Sequence, residues 1–370
     1  MLDKSENKLT NNNFRNYGVD ALRIISMLMI VMLHVLKFGG FMELSSSTNY
    51  WILWFLEVSA FCAVDCYALI SGYVAVYSKF KLSNLVFLWC RVSFYSVLIS
   101  VIFKIFFPSE ISNGLLVYSF FPVISHQYWY FTAYSLAFLF FPFLNEGINR
   151  LSKKQLRLLL VVIISLASFL KPLIAHFWGD VFVLNEGFSP WWLMILYVIG
   201  AYTRKYGFLR RAQSFRSIIF LGMYFAFVLL TWLSKLFIHY CINHIGSEMI
   251  DEECLLNYQS ITILGSAVSL LLAFEQLKFH KCVIRMIAAF SPLAFSVYLI
   301  HDNSLIRQKF LLEKFIWIAK LPVYQMVLLV FGIVIGIFLV CSLLDLIRVF
   351  LFKKLKIKER LRSLELKILK

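Results

Sequence analysis

Residues 17–38 read YGVDALRIISMLMIVMLHVLKF, and this stretch decides how the rest of the chain is read. At 1.5 Å of rise per residue a helix of this length crosses the roughly 30 Å hydrocarbon core of a bilayer. Near neutral pH only Asp20, Arg23, His34 and Lys37 within it are ionised or ionisable. Nine more apolar runs follow, near residues 51–77, 85–107, 128–144, 156–177, 191–206, 217–240, 255–274, 283–301 and 323–352. They are continuous rather than alternating, which fits helices and not the strands of an outer-membrane barrel. The whole chain agrees, with 61% hydrophobic and 15% charged residues, against about 45–50% and 25% in a soluble domain. The expected fold is therefore all-α: a polytopic integral membrane protein of about ten transmembrane helices. It divides into a tail over 1–16, a membrane domain over 17–352 and a basic tail over 353–370.

The formal charge of +16 does not point to nucleic acid, because the basic residues alternate between loops instead of sharing one face. Lys4, Lys8 and Arg15 precede the first run, and Lys79 and Lys81 follow the second. Arg150, Lys153, Lys154 and Arg157 follow the fourth; Arg204, Lys205, Arg210, Arg211 and Arg216 follow the sixth. Lys278, Lys281 and Arg285 follow the eighth, whereas Glu43, Glu110, Asp180, Glu186, Glu248 and Asp251 mark the intervening loops. The positive-inside rule then puts both termini in the cytosol, with membrane lipids as the surrounding partner. Residues 1–16 lack the apolar core and cleavage site of a secretory signal, so the first run is expected to remain a span. The seven cysteines show no metal-ligand spacing, and His126, His176, His239, His244 and His280 add none, so no metal and no bound cofactor is expected. Cys241 and Cys254 flank an acidic loop and could pair.

Arg23 and His34 stand out inside the first run. Their spacing brings them back to within about 20° on a helix, roughly 16 Å apart along its axis. Ionisable groups inside spans are costly and usually face a cavity or a partner, so two on one face imply a polar tunnel. A neutral imidazole near the outer side can take a proton from a hydroxyl attacking a carbonyl. Arg23, near the inner side, suits phosphate or the polar arm of a thioester cofactor. A packing or snorkelling role for His34 remains the alternative.

The stretch Val19-Asp20-Ala21-Leu22-Arg23 through Val31-Met32-Leu33-His34 resembles the Arg-x10-His signature of the acyltransferase-3 family of integral membrane acyltransferases. Leu69-Ile70-Ser71-Gly72-Tyr73, Tyr128-Trp129-Tyr130-Phe131 and Ser296-Val297-Tyr298-Leu299-Ile300-His301 resemble further elements of that family in the same order. The resemblance implies a multi-pass protein of a bacterial plasma membrane. It implies an O-acyltransferase moving acetyl from cytosolic acetyl-CoA, a substrate and not a resident cofactor, to a hydroxyl of a surface glycan or lipid-linked sugar. Arg23 and His34 carry over as the catalytic pair, with His34 as general base. The family's Arg-x-x-Arg near the third span is incomplete, with Leu88 in the first position and Arg91 in the second. Lys79 and Lys81 could join Arg91 in holding the donor, without the bidentate fork of arginine.

Glu57 and Asp65 lie roughly 80° apart on the second span, and one of them is expected to pair with His34 or Arg23; a structural ion pair with Arg23 or Arg91 is the other reading. Trp129, Tyr298 and His301 fall at the outer boundary, either as interface anchors or as the wall of an acceptor site. Two other functions are open to this sequence: a transporter or flippase of glycan intermediates, and a non-catalytic component of a polysaccharide assembly. The absence of repeats and of paired broken helices argues against the first. The acceptor, the acyl chain length and any homo-oligomer are not written in these residues.

Overall fold

The computed structural model describes residues 15–170, 179–207, 217–245 and 252–368. Lys4, Lys8, His176, Arg210, Arg211, Arg216, Glu248 and Asp251 lie outside the described residues, as does most of the 1–16 tail. All regular structure among the described residues is helical. In chain order the helices are α1 (Tyr17–Phe38), α2 (Ser47–Phe61), α3 (Ala63–Ala75), α4 (Leu82–Phe106), α5 (Asn113–Tyr118), α6 (Trp129–Arg150) and α7 (Lys153–Ile164). They continue as α8 (Pro190–Tyr206), α9 (Ser217–Ile245), α10 (Ile261–Glu275), α11 (Lys281–Phe290), α12 (Ala294–His301), α13 (Val323–Lys354) and α14 (Ile357–Ile368).

Every apolar run of the sequence contains helix, and the protein is a polytopic all-α membrane protein. Among the described residues six spans are long and apolar enough to cross a bilayer: α1, the α2–α3 unit, α4, α6, α9 and α13. A seventh exists if α11 and α12, bent by 41° at their junction, count as one. The other runs are helical too, but shorter or continuing into residues outside the description, which is why composition alone suggests about ten.

Helix α1 is set by its ends. The Asn16 side chain accepts from the backbone of Gly18 and Val19, and Asp20 sits in the positive first turn. At the far end the 313–315 segment closes the helix, the Glu313 amide donating to Phe38 O and the Phe315 amide to Gly39 O. Gly40 makes this turn possible with φ +78°. α1 and α2–α3 are the most buried spans, whereas α9 and α13 present rows of exposed leucine, isoleucine and phenylalanine to lipid.

α3 and α8 approach each other closely through two glycines. A Cβ on Gly72 would lie 1.9 Å from the Tyr197 carbonyl oxygen, and one on Gly200 would lie 2.0 Å from that of Leu69. Both obstacles are backbone, so a side chain there must force the helices apart; small residues permit such contact in membranes. Gly72→Ala is expected to destabilise the protein by about 3 kcal/mol, read as a lower melting temperature in detergent. A variant melting like the parent would show that the pair yields freely.

α14 packs back on α4. Its Glu365 carboxylate accepts from the Leu82 amide at 2.6 Å and from the Ser83 hydroxyl at 2.5 Å, capping the α4 N-terminus.

Candidate active site

Three cavities follow one face of α1. Towards the N-terminal end of α1, the end expected to face the cytosol, Arg23 lines an inner cavity of about 350 Å³ together with Arg15, Asp20, Tyr73 and Arg204. One turn further, Met27, Ile30 and Leu33 wall a small aromatic cavity of about 40 Å³ that ends at His34. His34 also lines an outer cavity of about 590 Å³, which contains Trp54, Glu57, Asp302 and Arg307. The small and the outer cavities share Leu33, His34, Trp129 and Tyr258. His34 therefore stands where a narrow aromatic space opens into a wide polar one.

The partners of His34 come from a segment 267 residues away. Its Nδ1 lies 2.8 Å from His301 Nε2, and His301 Nδ1 lies 2.6 Å from the Val297 carbonyl oxygen. A carbonyl only accepts, so in the neutral pair the His301 proton is on Nδ1 and its Nε2 is an acceptor. His34 Nδ1 must then carry its proton, which leaves the lone pair on His34 Nε2. Asp302 Oδ1 lies 3.7 Å from His34 Nδ1 and accepts from Arg307 at 2.8 Å. Val297 and His301 belong to the same turn of α12, so the helix itself fixes the second ring. The arrangement is that of a general base with an oriented tautomer.

At the inner end Arg23 donates to Asp20 at 2.8 Å and to the Ser291 hydroxyl at 3.1 Å. Arg15 also donates to Asp20, at 2.5 Å, and Arg204 donates to the Tyr73 hydroxyl at 3.1 Å. Three guanidinium groups and the Asp20 carboxylate thus line this cavity, and guanidinium groups are suited to binding an anionic ligand. Ser291 lies at the bend between α11 and α12, so the break in that span brings a hydroxyl to Arg23.

A family model described as an acyltransferase domain matches residues 16–346. The chain belongs to the acyltransferase-3 family. Membership makes it a membrane acyltransferase, with an acyl donor and an acceptor as substrates. No curated protein and no solved structure matches the chain at a significant level.

Within this acyltransferase the other candidate residues fall as follows. Glu57 lines the outer cavity beside His34 and makes no ion pair or hydrogen bond among the described residues. Asp65 is fully buried and accepts from Trp192 Nε1 at 3.0 Å, so its bond goes to α8 and not to Arg23 or His34. Asp65 sits in the first turn of α3, and the close packing of α3 on α8 sets it against the Trp192 indole. Arg91 donates to Ser296 at 2.7 Å and to the Pro292 carbonyl at 3.0 Å, and lies 3.4 Å from Asp345. It is an internal strut between α4, α12 and α13. Lys79 is exposed in the loop before α4 and Lys81 is the residue preceding that helix; neither lines the Arg23 cavity, and nor does Arg91.

Trp129 walls both the small and the outer cavity and packs on Phe188 and Tyr258, with ring centroids 4.6 and 6.1 Å apart. Tyr298 lines the small cavity, and His301 is the partner of His34 and not a solvated boundary residue. Cys241 and Cys254 are not joined to each other. Sequence reasoning missed Asp302, Arg15 and Arg204. A run of three polar residues, His301-Asp302-Asn303, at the end of an apolar stretch was the available signal for the first.

Proposed function

We propose that this protein transfers an acyl group, most simply acetyl, from a cytosolic acyl-CoA to a sugar hydroxyl presented in the outer cavity. The setting is a plasma membrane with both termini on the cytosolic side. The observation that carries the reading is the position of His34 at the junction of the two cavities, with Nδ1 tied to His301 and Nε2 left to act as base. Support at the inner end comes from Arg15, Arg23 and Arg204, which line one cavity and suit the phosphates of the donor, whereas Arg91 lines no part of it. The outer cavity offers carboxylates at Glu43, Glu57 and Glu186 beside the Trp129 and Tyr258 rings, acceptors and flat faces of the kind that hold a sugar. A surface or secreted polysaccharide, or a lipid-linked sugar, fits that lining.

The reaction balances as follows. The acceptor hydroxyl gives its proton to His34 Nε2 while its oxygen bonds to the thioester carbon, and the carbonyl electron pair moves onto oxygen. Collapse breaks the carbon–sulfur bond, and the leaving thiolate takes the proton back from His34. Holding donor and acceptor at one point makes the encounter effectively unimolecular. The test is release of free thiol from acetyl-CoA by the purified protein in lipid nanodiscs, with and without sugar acceptors. No thiol release dependent on His34 would reject acyl transfer in favour of a transport role.

His301 acts through His34 and is a positioning residue. His301→Phe, which removes the acceptor for the His34 Nδ1 proton, is expected to lower kcat by about 10–100-fold with the KM for the donor unchanged. His301→Gln, whose amide oxygen accepts the same bond, should recover most of the loss. Equal loss in both variants would mean that the ring only fills space.

A further inference from the structure

Tyr67 of α3, Tyr130 of α6 and Tyr298 of α12 converge on the small cavity beside His34. They are 9%, 9% and 5% exposed, and none of their hydroxyls donates a hydrogen bond among the described residues. Other buried tyrosines of this protein do bond: Tyr128 to the Leu299 carbonyl, Tyr95 to Asp345 and Tyr224 to the Ser59 carbonyl. Buried hydroxyls are costly to leave unpaired, so three such groups in the wall of one cavity call for a ligand. The remaining wall is apolar, with Met27, Ile30, Val64 and Phe295. A matching ligand is a narrow, mainly apolar chain that carries a few carbonyl oxygens.

We propose that Tyr67, Tyr130 and Tyr298 are hydrogen-bond donors to the acyl-pantetheine arm of the thioester donor, and that at least one of them binds the thioester carbonyl oxygen as it gains negative charge. The proposal rests on the acyl-transfer reading and adds the electrophilic half of the site to the base supplied by His34. As the acceptor oxygen bonds to the carbonyl carbon and its proton goes to His34 Nε2, the displaced π pair becomes an oxyanion that the tyrosine O–H groups hold. When the pair returns, the carbon–sulfur bond breaks, the thiolate leaves with the proton of His34, and the hydroxyls are released unchanged. Preorganised donors in a water-poor space are the strongest form of such stabilisation.

The experiment compares Tyr67→Phe, Tyr130→Phe and Tyr298→Phe in the full chain in nanodiscs. Three quantities are read: melting temperature, kcat, and binding of two CoA analogues, a methyl ketone that keeps the carbonyl and a thioether that lacks it. A phenylalanine removes an unpaired hydroxyl and keeps the ring, so melting temperatures should stay level or rise. The kcat of at least one variant should fall by about 10²–10³-fold, and the ketone should bind that variant more weakly while the thioether binds it as before. Variants that melt lower with kcat and ketone binding intact would make the hydroxyls structural and overturn the proposal. Full activity in all three would overturn it while leaving acyl transfer standing. Tyrosine-dependent ketone binding in a protein that releases no thiol would instead reject the acyl-transfer reading and keep the carbonyl site.

Discussion

Replacing His34 by alanine is expected to lower acyl transfer by about 10³–10⁴-fold while leaving the protein folded. The size follows from the role: a positioned base contributes up to about 10⁴-fold, and His34 is the imidazole that lines both the aromatic and the outer cavity. His301 cannot replace it, because its Nδ1 is engaged by the Val297 carbonyl and its ring is only 1% exposed. The fold should tolerate the change, since the His34 side chain is 19% exposed and faces a cavity. Donor affinity should hold as well, because the arginine cavity is three turns away along α1. Thiol release and binding of the thioether analogue, measured on one preparation, separate the two effects. Residual turnover above a tenth of the parent would remove His34 from the chemistry.

The largest effect on stability is expected at Asp345. Its carboxylate is fully buried and accepts from Tyr95 at 2.5 Å and from Arg348 at 2.6 and 2.8 Å, with Arg91 at 3.4 Å. One negative charge serves two guanidinium groups, that of Arg348 buried and that of Arg91 part-buried. Asp345→Ala leaves both without a counter-charge, and breaking such a cluster from one side costs about 3–5 kcal/mol. Asp345→Asn keeps the shape and part of the hydrogen bonding, so it should fall between parent and alanine. The loss should reach the active site too, because Arg91 also holds Ser296 and the Pro292 carbonyl on the span that ends in His301. Thermal unfolding in detergent checks this order; an alanine variant melting with the parent would mean that the arginines find other partners.

Much of this was legible in the sequence, and what was not has identifiable causes. The face shared by Arg23 and His34 follows from helical periodicity alone, and the cavities lie along it. Motifs drew attention to His301, Trp129 and Tyr298, but the pairing of His301 with His34 depends on how the first and the late spans cross, which no local spacing encodes. The run over 283–301 reads as one helix although it bends at Ser291, and the bend is what carries that hydroxyl to Arg23. The resemblance places Arg91 at the donor, whereas in the fold it is held by Ser296 and Asp345, partners from two other helices that no local spacing encodes. Tyr67, Tyr130 and Tyr298 come from three helices with no common spacing, so only the folded chain brings them together.

The narrowness of the aromatic cavity between Met27 and His34 has a consequence for the cell. A path joining two aqueous sides threatens to dissipate the ion gradients on which an energised membrane depends. The aromatic cavity, about 40 Å³ in volume, shares no lining residue with the arginine cavity; a space this small gives a hydrated cation no room for its shell, and apolar constrictions of this kind shed water. On the proposed acyl-transfer reading, the constriction that guides a thioester toward the base would also keep the membrane electrically tight between turnovers.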